Sequence, residues 1–170
     1  MNLDEAINTA LEYEMGVYQL YFDAIGTTVD PTAKKIFGVL CNEEKNHVDY
    51  LRHCLGEWQR TGKINAGELK TAIPAKHVID KSLRDLQRIT KPRPTIRPEL
   101  DLLYKALEAE IKTSDFYKEM VKTLDGEGQK LFRRFVEIEE GHEAIVQAEI
   151  DSVSKMGFWF DTPEFRLEQE

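Results

Sequence analysis

The sequence predicts an all-α fold: a four-helix bundle of two repeated helical hairpins, joined by a long crossover that carries a short helix of its own. Three observations predict it. Four long segments place core-type residues at alternating steps of three and four. The two halves of the chain repeat at a nearly constant offset, and the breaks between segments carry residues that start and stop helices.

The first segment runs Ile7, Leu11, Glu14, Tyr18, Tyr21 and Ile25, and predicts a helix near 3–27. The second runs Phe37, Leu40, Glu44, His47, Leu51, Cys54 and Trp58, within 31–60. It has Asp30 to cap its N-terminus, Pro31 at the first helical position, and two glycines in "RTGKINAG" to end it. The proline-rich "KPRPTIRPE" stays extended until Pro98 and Glu99 start a third helix, 98–124, with Leu103, Leu107, Glu110, Ser114, Tyr117, Val121 and Leu124 in register. After the turn "LDGEGQ", a fourth helix over 127–156 carries Phe132, Phe135, Glu139, His142, Val146 and Val153. The connection between the second and third is long for a plain loop. Within it, "AKHVIDKSLRDLQRI" has a helical pattern, so a short crossover helix is expected there. The chain therefore reads as one domain over 1–170, with 61–97 as crossover and 157–170 as a tail. The aromatic "GFWFDTPEF" of that tail should pack on the bundle end or on a partner subunit.

Composition narrows the partners. A net charge of −8, without a lysine or arginine block, argues against nucleic acid and anionic membrane surfaces. No apolar run approaches the roughly 20 residues that span a bilayer, and the acidic, amphipathic "MNLDEAINTALEYE" does not read as a secretory signal. Cys41 and Cys54 fall in one helix, about 20 Å apart at about 1.5 Å per residue, well beyond disulfide reach. They read as reduced thiols, which favours the cytoplasm.

The repeat carries the chemistry. "ALEYEMGVYQLYF" aligns with "ALEAEIKTSDFYK" at an offset of 96 residues, and "KKIFGVLCNEEKNH" with "QKLFRRFVEIEEGH" at 95. Each half thus holds a Glu followed seven residues later by a Tyr, and then a Glu-x-x-His step. Glu14, Glu44, His47, Glu110, Glu139 and His142 all occupy core-type positions, and a Glu and His three apart share one helix face. An ionised carboxylate in a bundle core costs several kcal/mol unless paired or bound to metal. Four would overwhelm a typical stability of about 5–15 kcal/mol. No lysine or arginine sits on these stripes, and two histidines supply at most two charges. Two divalent cations would balance four carboxylates and leave the imidazoles neutral and free to ligate. Carboxylate and imidazole without thiolate suit iron or manganese, and can accept zinc or cobalt.

Tyr21 and Tyr117, each two helical turns from its Glu, can hydrogen-bond a ligand carboxylate or simply fill core. His53 and His77 lack metal-like company and belong on the surface. Glu43 and Glu140 neighbour the ligands but point to another face, so solvent exposure is expected. Glu149 is in register about two turns beyond His142, which suits a pore-side or buffering role.

On "EMGVYQLY" and "EIKTSDFY", each with its Glu-x-x-His partner, the chain resembles the rubrerythrin-like branch of the ferritin-like superfamily over nearly all of residues 3–156. The resemblance implies a ferritin-like bundle around two iron ions, with manganese or zinc as substitutes. Glu44 and Glu139 would bridge the metals, Glu14 and Glu110 would be terminal ligands, and His47 and His142 would each cap one ion. It further implies reduction of peroxide or dioxygen in oxidative-stress defence, by a homodimer. Rubrerythrins carry a rubredoxin domain with Cys-x-x-Cys pairs, and this chain has none, so a separate donor such as a rubredoxin-type protein would deliver electrons. The family's additional Glu, one turn after the third-helix ligand, is Thr113 here. Two alternatives stay open: a ferritin-like ferroxidase that stores or delivers iron, and a metal-binding module without turnover.

Overall fold

The computed structural model describes residues 1–93 and 97–160. All regular structure among them is helical: α1 (Leu3–Thr27), α2 (Pro31–Thr61), α3 (Lys76–Ile89), α4 (Glu99–Thr123) and α5 (Gly126–Met156). The four long helices begin and end within a residue of the expected positions, and α3 is the short crossover helix. No helix among the described residues is long and apolar enough to cross a membrane.

Local chemistry sets the boundaries. Asn2 accepts the Glu5 N–H while Glu5 accepts the Asn2 N–H, each at 2.9 Å, a reciprocal capping box that opens α1. Asp30 accepts the N–H groups of Thr32 and Ala33 at 2.8 and 3.0 Å, and Pro31 occupies the first turn of α2, where no N–H is missed. Gly62 and Gly157 close α2 and α5 at φ 68° and 79°, a left-handed conformation that other residues adopt at a cost.

Helix α1 packs against α2 and α4 against α5; α1 also meets α4, and α3 lies on α5. Two apolar clusters result. One gathers Tyr21, Phe37, Leu40, Leu103 and Ile145; the other gathers Ile7, Leu51, Tyr117, Phe132 and Phe135. Burying each of these large side chains contributes about 1.5–3 kcal/mol. On every long helix the acidic and histidine positions fall between the residues of one cluster and those of the other. A buried polar layer therefore divides the core.

The crossover is more than a spacer. Leu69 and Ile73 are buried, and Arg134 of α5 donates twice to the Leu69 carbonyl, at 3.0 and 2.8 Å. Trp159 and Phe160 of the tail are buried in the first cluster, with Trp159 edge-on to Phe37 at 6.0 Å. This places them on the bundle itself; residues 161–165 of the aromatic segment lie outside the described residues. Glu149 is fully buried and accepts the Phe160 N–H at 2.8 Å. It serves as an anchor for the tail, in place of the pore-side role expected of it.

Candidate metal centre

All six predicted side chains, Glu14, Glu44, His47, Glu110, Glu139 and His142, are fully shielded from solvent. They come from α1, α2, α4 and α5 and converge on one spot. Nδ1 of His47 lies 3.1 Å from Glu14 Oε2 and 3.5 Å from both Glu44 Oε2 and Glu139 Oε1. Nδ1 of His142 lies 2.9 Å from Glu44 Oε1 and 3.8 Å from Glu110 Oε1. The two imidazole rings stack at 5.0 Å with 15° between their planes. Three triads emerge, Glu14–Glu44–His47, Glu44–Glu110–His142 and Glu43–His47–His142, in each of which the potential ligand atoms all lie within 4.8 Å. Glu44 belongs to the first two, and the third adds Glu43 to both imidazoles.

The tyrosines cross between halves. Tyr21 of α1 donates to Glu110 Oε1 of α4 at 2.5 Å, and Tyr117 of α4 donates to Glu14 Oε1 of α1. The sequence left each free either to serve a ligand carboxylate or to fill core, and each donates to the carboxylate of the opposite hairpin. Burial, then the neighbouring carboxylates, hold both phenols well above their usual range, so both remain donors.

Much of the cluster is left without hydrogen bonds. Both oxygens of Glu44 and of Glu139, Oε2 of Glu110, Nε2 of His47 and both ring nitrogens of His142 are buried and lack a partner with hydrogen-bonding geometry. The 2.9 Å approach of His142 to Glu44 brings charges together without the angle of a hydrogen bond. Buried polar atoms are rarely left so, because each costs about 1–3 kcal/mol. Lone pairs converging from four helices on one dry point fit a cation.

Electrostatics tell the same story. Burial drives Glu44 upward, helped by repulsion from Glu110 and Glu14; burial and the charges of Glu14, Glu110 and Glu44 drive Glu139 up likewise. Burial works against His142, but attraction to Glu44 and other carboxylates carries it up to about 10. His47 is raised for the same reason, with Glu14 the chief partner. Glu14 is opposed by burial yet held down to about 2 by His47 and by hydrogen bonds that include the one from Tyr117. Without cations, burial and mutual repulsion favour the protonated carboxyls of Glu44 and Glu139, and the surrounding carboxylates favour the charged imidazoles.

Glu43 corrects an expectation. Sequence position assigns it to solvent, but it is buried, 5% exposed. Thr71 Oγ1 donates to it at 2.5 Å and the Ala72 N–H at 3.0 Å, and its Oε2 lies 3.7 Å from His142 Nε2. The segment that covers it belongs to the crossover, whose path no periodicity reveals. Glu140, His53 and His77 are exposed, as expected. Thr113 is buried and donates to the Ala109 carbonyl of its own helix at 3.0 Å. Cys41 and Cys54 are buried free thiols.

Comparison with models of known protein families, with curated proteins and with solved structures finds no match. The chemistry of the site is argued from its own geometry.

Proposed function

We propose that this chain is a ferritin-like, rubrerythrin-type domain that holds two iron ions between Glu14, Glu44, His47, Glu110, Glu139 and His142, and works as a non-haem oxidoreductase toward peroxide or dioxygen. One observation carries the reading: six buried ionisable side chains from four helices meet with most of their lone pairs unclaimed. Glu44 would touch both ions, with His47 and Glu14 on one side and His142 and Glu110 on the other. When bound, a reduced iron pair would supply the two electrons that, with two protons, convert hydrogen peroxide to two waters.

The residues' own tasks follow from their surroundings. Tyr21 and Tyr117 hold Glu110 and Glu14 in place by donating to Oε1 of each; the Oε2 of Glu14 lies 3.1 Å from His47 Nδ1, and the Oε2 of Glu110 is buried without a partner. The apolar clusters on either side keep bulk water out, which strengthens every charge interaction within. Glu44 and Glu139 can hold protons on their carboxyl oxygens. Both cysteines are buried in α2, outside the centre's ligand set, so reducing equivalents come from a separate donor protein.

The test is anaerobic reduction of iron-loaded protein followed by stopped-flow reoxidation with peroxide and with oxygen. Reoxidation much faster than that of free ferrous iron is expected. A rate equal to free iron overturns the reading.

A further inference from the structure

We propose that Glu43 is a positioning carboxylate for His142, through which the crossover strap of residues 69–74 is coupled to one half of the metal centre. The inference rests on the dinuclear reading of the site and goes beyond it by making the two halves unequal.

The strap is fastened on both sides of Glu43. Upstream, Arg134 binds the Leu69 carbonyl; downstream, the Pro74 carbonyl sits over Gly141, where an added Cβ would meet it at 3.1 Å. Between them Thr71 accepts the Ile73 N–H at 3.0 Å. That fixes the hydroxyl so that its hydrogen goes to Glu43 Oε2, while the Ala72 N–H goes to Oε1. Glu43 is thus held by a backbone segment 28 residues away. Its Oε2 faces His142 Nε2 at 3.7 Å, on the opposite edge of the ring from the Nδ1 that faces Glu44 and Glu110.

A carboxylate accepts and cannot donate. Placed at Nε2, it keeps the single N–H of a neutral imidazole there and leaves the Nδ1 lone pair directed at the centre. With metal at Nδ1, the gap would have to close from 3.7 Å to hydrogen-bond length for Glu43 to orient the ring. Glu43 groups with His47 too, within 4.8 Å, but no carboxylate among the described residues forms an ion pair with His47 Nε2 as Glu43 does with His142 Nε2. The residue one repeat offset of 95 from Glu43 is Ile138, the close carboxylates of His47 (Glu14, Glu44 and Glu139) all lie at its Nδ1, and the ring lies edge-on to Phe135 at 5.5 Å. The repeat is broken at this buried carboxylate, and the strap covers the half that carries it.

The experiment is titration of the full chain with cobalt(II), read by visible absorption, alongside imidazole ¹⁵N NMR of the zinc-loaded protein. Wild type should bind two ions and show His142 protonated on Nε2. Glu43→Gln should weaken one ion by about 10–100-fold, leave the other within about twofold, and speed exchange of the His142 Nε2 proton. Thr71→Val, which keeps the carboxylate but removes its donor, should shift the same ion by less, and it decides the matter if Glu43→Gln fails to fold. Equal affinities in wild type and variants overturn this inference alone. Equal weakening of both ions also overturns it, as does a third bound ion lost in Glu43→Gln, which would make Glu43 a ligand. A wild type that binds fewer than two ions overturns the dinuclear reading as well.

Discussion

Tyr21 donates to Glu110 from 89 residues away, and Tyr117 to Glu14 from 103, so the two hairpins are cross-tied through the carboxylates of their own centre. Each bond joins a neutral donor to a buried acid, the kind worth about 1.5–3 kcal/mol. Tyr117→Phe should therefore lower the metal-free unfolding free energy by about that much, and Tyr21→Phe similarly, as read by urea denaturation. Losses below about 0.5 kcal/mol would mean that the tyrosines serve only as core filling.

Metal uptake should release protons. In the metal-free cluster Glu44 and Glu139 are raised toward the protonated form, and His47 and His142 toward the charged form. Ligands bind metal only when deprotonated, so loading two divalent ions should expel protons near pH 7, the one on His142 among them. Calorimetric titration with zinc in buffers of different ionisation enthalpy counts them. A count near zero would show that the side chains are already set for metal.

The metal-free protein should lose stability as pH rises through neutrality. Glu44 and Glu139 have folded values above their ordinary 4.5, so their favourable contribution is complete below 4.5 and fades as pH climbs through the folded values. His142, raised from 6.5 to about 10, contributes fully below 6.5 and stops contributing as pH passes about 10. Glu14 acts in the opposite sense: held near 2, it contributes above 4.5 and is lost toward pH 2. Maximal metal-free stability is expected between about pH 4.5 and 6.5. Loaded protein needs its ligands deprotonated, so the gap in Tm between loaded and metal-free forms should widen from pH 5 to pH 8. Parallel curves in a thermal shift series would contradict this.

Glu44 and Glu14 should differ as ligands. Glu44 stands in two of the three triads and Glu14 in one. Glu44→Gln should weaken both cobalt(II) ions, and Glu14→Gln only the ion beside His47, each by about 10-fold or more. If Glu44→Gln affects one ion alone, Glu44 does not bridge.

The helices and the six-residue cluster were legible in the sequence because both depend on local rules. Periodicity, caps such as Asp30 and stops such as Gly62 act within a few residues, and a Glu-x-x-His step on an apolar stripe contradicts that stripe wherever the helix lies. The repeat then showed that the contradictions belong together. What stayed hidden depends on distant contact. That Tyr21 would reach Glu110 in the other half follows from how α1 meets α4, which spacing within one helix does not encode. Glu43 looked solvent-facing because its own helix says so, and only the fourteen residues between Thr61 and Lys76, with no period to follow, bring Thr71 and Ala72 over it. Glu149 was in register for the centre yet binds the tail, since register gives the face of a helix and not the height at which a ligand sits.

Two glycines in long helices should respond oppositely to alanine. Gly56 of α2 has nothing within 4 Å of an added Cβ, so Gly56→Ala should stabilise by about 0.5–1 kcal/mol through reduced freedom of the unfolded chain. Gly141 of α5 gains the same helical benefit, but its Cβ would lie 3.1 Å from the Pro74 carbonyl and 3.6 Å from Ile73 Cγ2. The nearer contact is backbone, which cannot swing aside as a side-chain tip can, so the strap must lift by a few tenths of an ångström. That lift pulls on Thr71 and Ala72, three and two residues before Pro74, and loosens both of their bonds to Glu43. Gly141→Ala should therefore be neutral to destabilising in urea, and limited proteolysis should cut the 62–75 segment faster than in wild type. Stabilisation equal to that of Gly56→Ala, with an unchanged cleavage rate, would show that the strap yields freely at this point.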